Sequence, residues 1–288
     1  MFNVLVTGSK GQVGSEIVEL SIDYENNYFF TDKDTLDITN ENEIQALIEE
    51  NNIDIIINCA AYTDVDKAED DVENADKINN LAVKYLSKIS REKNIKLIHI
   101  STDYVFDGTK HKPYMEHDIS NPNGVYGKTK LDGEKAMQKI NPKHSIIIRT
   151  SWVYSSYGAN FVKTMLRLGK EKESLDVIYD QVGTPTYARD LAKTILEIIP
   201  TIKNNDVEIF NYSNEGVLSW YDFAKTIFEL GGTSCKVNPI ETKDYPTPAA
   251  RPYYSLLNKS KIKETFNIAI PYWKDSLVEC LEKMGDRR

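Results

Sequence analysis

Cysteine is scarce in this chain: three residues in 288, Cys59, Cys235 and Cys280, too scattered for a metal or redox spacing and odd in number, which fits no simple disulfide framework. They read as packed thiols. Histidine numbers only four, His99, His111, His117 and His144, which fall into no metal-ligand motif. His99 lies inside an apolar run and reads as a satisfied core residue. No stretch approaches ~18 consecutive apolar residues, so no spanning helix and no membrane partner are expected. Cations are in deficit, 35 Lys and Arg against 44 Asp and Glu, and the net charge of -9 argues against nucleic acid held by a basic patch. The opening MFNVLVTG lacks the charged, apolar and small-residue segments of a signal peptide, so a cytoplasmic location is expected. No low-complexity linker or internal repeat divides the chain.

What is present is alternation. VLVT (4–7), YFFT (28–31), IDIIIN (53–58), IKLIHIS (95–101) and SIIIRTS (145–151) read as buried strands, separated by segments of helical length at 12–22, 40–51, 66–93 and 123–140. Strict alternation of strand and helix predicts an α/β fold: a doubly wound parallel sheet of the Rossmann kind, covered on both faces. After residue 151 the regularity weakens and prolines punctuate the chain. The expectation is a dinucleotide-binding domain over 1–150, to which 175–212 returns, and a smaller mixed substrate lobe from 151–174 and 213–288.

Ligands of such sheets bind at the carboxyl ends of the strands. The first such end is Gly8-Ser-Lys-Gly11-Gln-Val-Gly14, following a strand and opening a helix. Gly8 suits a tight turn, Gly11 a close backbone approach to a pyrophosphate, and Gly14 close helix packing, with the helix N-terminus facing the anion. Gln12 and Val13 between them are assigned to the cofactor as well. Asp32, 18 residues beyond Gly14, can accept hydrogen bonds from an adenosine ribose, which favours NADH over NADPH, although Lys10 and Lys33 offer a 2′-phosphate some compensation. Asp37 serves either the adenine or the cap of the helix starting near Glu41. After the third strand, Ala60 and Ala61 are small enough for a dinucleotide to lie along the backbone, or simply for tight packing, and Tyr62 follows them. After the fourth, Thr102 is a candidate for holding a substrate carbonyl, with Ser101 turned back into the fold.

Tyr126 and Lys130 stand about one helical turn apart, which places an ammonium beside a phenol. Such a neighbour would lower the hydroxyl's pKa and make it a usable proton donor or acceptor. Tyr221 and Lys225 share the spacing. Chain order favours the first pair, which precedes the fifth strand, and leaves the second to the surface.

The segments TGSKGQVG, NCAAYTDVDKAE, STDYVFDG, YGKTKLDGE, RTSWVY, DQVGTPTYARDLA and RPYYSLLN, in this order over nearly the whole chain, closely resemble the dTDP-4-dehydrorhamnose reductases, an extended short-chain dehydrogenase family. The spacing Gly-x-x-Gly-x-x-Gly belongs to that type. The resemblance implies reduction of the 4-keto group of a sugar nucleotide with NADH or NADPH. It implies a catalytic set of Thr102, Tyr126 and Lys130, and a sugar-nucleotide site lined by Val65, Asp103 and Trp152. Trp152 is also a fair candidate for core. The nucleotide half would need cationic or amide donors from the second lobe, for which Arg251 and Asn160 stand ahead of Lys163 and Arg189. Some members of the family are metal-linked dimers through glutamates. Glu16 matches one such position, but no acidic partner set appears at the C-terminus, so no metal is expected and the assembly is a monomer or homodimer.

Two other functions share this fold. A sugar-nucleotide epimerase or dehydratase is one, although dehydratases place Asp-Glu where this chain has Asp103-Tyr104. The other is a non-catalytic NAD(P)-binding regulatory subunit, like that of methionine adenosyltransferase, against which Thr102, Tyr126 and Lys130 argue.

Overall fold

A computed structural model describes residues 1–286 of the protein. Its first half runs β1 (Asn3–Thr7), α1 (Gln12–Leu20), β2 (Asn27–Phe30), α2 (Glu41–Glu50), β3 (Ile55–Asn58), α3 (Val72–Asp76), α4 (Ala82–Lys93), β4 (Lys96–Thr102), α5 (Val125–Ile140) and β5 (Ile146–Thr150). The second half starts with β6 (Val153–Tyr154), α6 (Phe161–Glu171), β7 (Ser174–Ile178), β8 (Val182–Gly183), β9 (Thr186–Tyr187) and α7 (Ala188–Ile198). It ends with β10 (Glu208–Asn211), β11 (Leu218–Ser219), α8 (Trp220–Leu230), β12 (Lys236–Ile240), α9 (Ser260–Phe266) and α10 (Trp273–Met284).

Six strands form one parallel sheet in the order β10-β5-β4-β3-β1-β2. Every residue of β3 is buried, as a central strand covered on both faces must be. Alternation then decides which face each residue serves. Val4, Val6, Ile55 and Ile57 pack under α1 and α7, while Leu5, Ile56, Leu97 and Ile147 pack under α2 and α4 with Met137 of α5. Because α1 carries Val13, Ile17 and Leu20 at helical spacing, one stripe of it is buried against α7 and the sheet.

The strand order reverses between β1 and β3, and the register lines up their ends, Thr7 opposite Asn58 and Asn58 opposite His99. A crevice opens at that reversal, outside the carboxyl ends.

The long helix expected over 66–93 is interrupted. A 3-10 turn at Lys67–Glu69 precedes α3, and a π-helical turn at Lys77–Leu81 joins α3 to α4. The extra residue of the π turn pushes Asn79 against α5, where a Cβ on Gly133 would come within 2.1 Å of the Asn79 carbonyl oxygen. Beyond β5 a separate apolar cluster gathers Val162, Met165, Leu166, Phe223, Ile227, Trp273 and Leu277. Residues 174–178 pair in parallel with 236–240 rather than with the central sheet, whereas 208–211 does join it, beside β5.

Candidate active site

The crevice is a cavity of about 990 Å³ whose walls are the strand ends just described. Gly8 sits at φ +66°, and a Cβ there would lie 2.7 Å from the Ala60 nitrogen; one on Gly14 would lie 2.3 Å from the Gly8 carbonyl oxygen. These glycines let β1, β3 and the start of α1 close upon one another. Gly11, the N-cap of α1, makes no side-chain cap hydrogen bond, so the first amides of the helix are left without a side-chain cap. Together with Gly8, Gln12 and Val13 on the wall they form a fitting seat for a pyrophosphate.

Asp32 and Asp37 line the next wall. Asp32 forms an ion pair with Lys10 of the glycine turn and accepts 2.9 Å from the Asp34 amide, and the lysine contact is the first cause holding its carboxyl below the usual range. Asp37 accepts from the Thr39 amide and hydroxyl at 2.9 and 2.7 Å and does not cap α2; Asn40 does, through the Asn42 and Glu43 amides. Cys59, Ala60 and Ala61 follow β3 on the cavity wall. Tyr62 is not on it: its amide donates to Asn79 and its hydroxyl to Asp71. Gly14 also stays off the wall.

The inner end collects Thr102, Asp103, Tyr126 and Lys130. The Thr102 hydroxyl donates to Asp103 Oδ1 at 3.1 Å and accepts from the Tyr104 amide at 3.2 Å. Burial pushes the Asp103 carboxyl up to about 6, against the Ser255 and Thr102 hydroxyls beside it. Tyr126 is likewise pushed up to about 12, first by burial, with the Thr102 hydroxyl working in the opposite direction and the Asp103 charge adding to the rise. The lowering expected from Lys130 is therefore not what this site shows. Lys130 is itself buried and brought down to about 8, first by burial, with Glu134 and Cys59 opposing. Its ammonium donates 2.6 Å to the Ile100 carbonyl and lies 3.5 Å from His99 Nε2, turned into the sheet. Ser101 does face inward, donating 2.5 Å to Glu134, which Arg149 grips at 2.6 Å.

Of the residues implied for the sugar nucleotide, Val65, Asp103 and Trp152 line the cavity and Asn160 and Arg251 do not. Asn160 caps α6 by accepting from the Lys163 amide at 3.1 Å, and donates to Ser155 and Gln12. The Arg251 fork is held by Asp66 at 2.8 and 2.7 Å, one residue after Val65. Trp152 adopts φ +48°, a region a bulky side chain seldom enters, and stacks on Trp220 with ring centroids 3.7 Å apart. Of the rival pair, Lys225 is exposed and Tyr221 is half-buried against the second cluster. Glu16 is buried and taken up by Ser155, Arg189 and Lys283.

Sequence reasoning placed His99 as a satisfied core residue, which it is, but missed its row with Thr7 and Asn58 behind Lys130, and the Asp66–Arg251 link. The first had a signal, a polar residue closing each of two apolar strand runs; the second had none, its halves being 185 residues apart.

A family model described as "RmlD substrate binding domain" matches residues 2–285. A dTDP-4-dehydrorhamnose reductase of Aggregatibacter actinomycetemcomitans is 42% identical, covering 96% of this chain and 97% of its own. The solved dTDP-4-dehydrorhamnose reductase of Clostridium acetobutylicum superposes with a TM-score of 0.94 at 41% identity, over 98% of this chain and 99% of that one. That of Bacillus anthracis, solved in complex with NADP, gives 0.93 at 38% identity over the same shares.

Proposed function

We propose a function from the premise that this chain belongs to the dTDP-4-dehydrorhamnose reductase family. It is an NAD(P)H-dependent oxidoreductase that reduces the 4-keto group of a deoxy-sugar nucleotide, dTDP-4-dehydro-L-rhamnose to dTDP-L-rhamnose. The convergence of Thr102, Tyr126 and Lys130 at the inner end of a cavity whose mouth is the glycine turn carries this reading.

NAD(P)H, when bound, supplies the hydride. Hydride arrival places negative charge on the ketone oxygen, which needs a proton donor and a second hydrogen-bond donor. Tyr126 delivers the proton, its O–H bond breaking as the product hydroxyl forms. At about 12 the phenol enters the reaction protonated at neutral pH, holding its proton more tightly than an ordinary tyrosine until charge develops on the ketone oxygen. Thr102 supplies the second hydrogen bond. Lys130 holds the nicotinamide ribose and supports Tyr126, two tasks suited to an ammonium with three donors. Gly8, Gly11, Gln12, Val13, Ala60 and Ala61 seat the dinucleotide, and Asp32 takes the adenosine ribose. Asp32 supports a preference for NADH, while the Lys10 ammonium resting on it eases the approach of a 2′-phosphate, so both cofactors serve.

The sugar lies between Val65, Asp103 and Trp152. Residues from the second apolar cluster form the substrate lobe, and Arg251 faces the nucleotide half only after exchanging Asp66 for a phosphate. The enzyme works as a monomer or homodimer in the cytoplasm. The test is oxidation of NADH and of NADPH against a panel of 4-keto-sugar nucleotides. Substrate-dependent turnover with the dTDP sugar supports the assignment; tight cofactor binding without turnover would replace it with a non-catalytic binding subunit.

A further inference from the structure

Behind Lys130 lies a row of buried polar side chains that touch neither the ketone nor its proton donor. Thr7, Asn58 and His99 are paired across β1, β3 and β4 by the sheet register, and all three are fully buried on the face that α5 covers. The Ala60 amide, which can only donate, lies 3.2 Å from one terminal atom of the Asn58 side chain, so that atom is the oxygen. The Thr7 hydroxyl donates to the same oxygen at 2.6 Å. The Asn58 amino group therefore faces His99 Nδ1, 3.0 Å away, and that ring nitrogen must accept. A neutral imidazole that accepts at Nδ1 carries its proton on Nε2, which is the nitrogen 3.5 Å from the Lys130 ammonium.

Two donors do not share a hydrogen bond. An N–H facing the lysine nitrogen opposes its charged form and suits its neutral form, whose lone pair can accept.

We propose that His99 is a positioning residue for Lys130: held by Asn58 in the Nε2-protonated tautomer, it keeps the neutral amine within reach, so that Lys130 gives up and regains a proton during turnover instead of standing as a permanent cation. The inference rests on the reductase reading of the same site. Atoms balance simply. After Tyr126 has given its proton to the product oxygen, an N–H bond of Lys130 breaks to restore the phenol, the amine lone pair accepts from His99, and solvent returns a proton to the nitrogen.

The surroundings agree. Lys130 lies near 8, brought down first by burial, and His99 is held well below its ordinary value, first by burial and then by the Lys130 charge. The other groups facing the pair are the Cys59 thiol after β3, Glu134 one turn along α5, and Arg149 of β5, which neutralises Glu134. A cationic His99 is excluded twice, by burial and by the Asn58 amino group, which would meet a second N–H. The assembly is thus a fixed hydrogen-bond donor, not a second titrating base.

The experiment reads the ring proton and the pH profile separately. In the full-length protein, the ring nitrogen resonances of His99 should show Nδ1 bare and Nε2 protonated from pH 6 to 9. Asn58→Asp puts a carboxylate oxygen opposite Nδ1, so the proton moves there and Nε2 turns a lone pair to the ammonium. The basic limb of ketone reduction then moves up by about half a unit or more. A wild-type ring protonated on Nδ1 overturns the proposal even if the variant fails to fold. A limb that shifts without the ring proton, or a ring proton that moves under an unmoved limb, overturns it too. Absent turnover in the wild type defeats the reductase reading alone, and the limb is then followed through the pH dependence of NADPH binding.

Discussion

Tyr126 stands where the demands of the reaction are most local, one hydroxyl in a buried setting. Tyr126→Phe deletes that oxygen and little volume, so turnover should fall by 10²-fold or more, about the contribution of a general acid. The dissociation constant for NADPH, measured by titration, should barely change. Asp103 yields a prediction about stability. Its folded value of about 6 stands above the ordinary 3.8, so the native carboxyl holds its proton more firmly than the unfolded chain does. Stability contributed by the protonated group is complete below 3.8 and is lost as pH rises toward about 6, leaving a charged, buried Asp103 at neutral pH. Asp103→Asn keeps the shape without the charge and should gain up to about 3 kcal/mol at pH 7.5, with no gain near pH 3.5. Urea unfolding at the two pH values decides it, and an equal difference at both sinks the argument. At this scale the spacing Tyr-x-x-x-Lys and the polar end of the fourth strand were legible in the sequence. The direction of the Lys130 nitrogen was not, because it answers to the Ile100 carbonyl and His99 on another element.

Elements were legible wherever burial on both sides forces a continuous apolar run, as in Ile55–Asn58, and wherever a helix carries a clean stripe, as in Val13, Ile17 and Leu20. They were misjudged where contacts with a distant helix reset the backbone. The π turn at Lys77–Leu81 exists against α5, with Asn79 donating 3.2 Å to Thr129, and nothing within residues 66–93 announces it. The strand at 208–211 is four residues long, too short to separate from a loop before its neighbour β5 is known. The glycine turn is the element whose geometry leaves least room. Gly14→Ala forces a methyl group against the Gly8 carbonyl and should cost about 1–3 kcal/mol, as overpacking does. It should weaken NADPH binding more than it slows turnover at saturation. A variant with unaltered stability and cofactor affinity would show that α1 can slide away from the turn freely.

Across the whole molecule, the sheet order explains why one crevice serves: the reversal between β1 and β3 brings the glycine turn, Asp32 and the β4 end to a single opening. The Asp66–Arg251 pair closes the chain on itself one residue beyond Val65 of the cavity wall, tying that loop to the segment before α9, with Ala249 donating 3.1 Å to the same carboxylate. Both partners keep some solvent contact, so Arg251→Ala should cost no more than about 1 kcal/mol in stability. Its effect should fall on the sugar nucleotide: a several-fold rise in its KM with the KM for NADPH unchanged. Equal rises in both would make the pair a brace for the entire crevice. No local pattern could announce a link between residues so far apart in sequence.

The two stacked indoles give the protein an optical property. Of its three tryptophans, Trp152 on the cavity wall lies face to face with Trp220 behind it, and Trp273 packs in the second apolar cluster. Parallel rings this close couple their electronic transitions, so the near-ultraviolet dichroism should carry a signed pair of bands that Trp152→Phe abolishes. A sugar nucleotide settling against Trp152 would disturb that coupling and quench the shared emission, giving an unlabelled light signal for occupancy of the site.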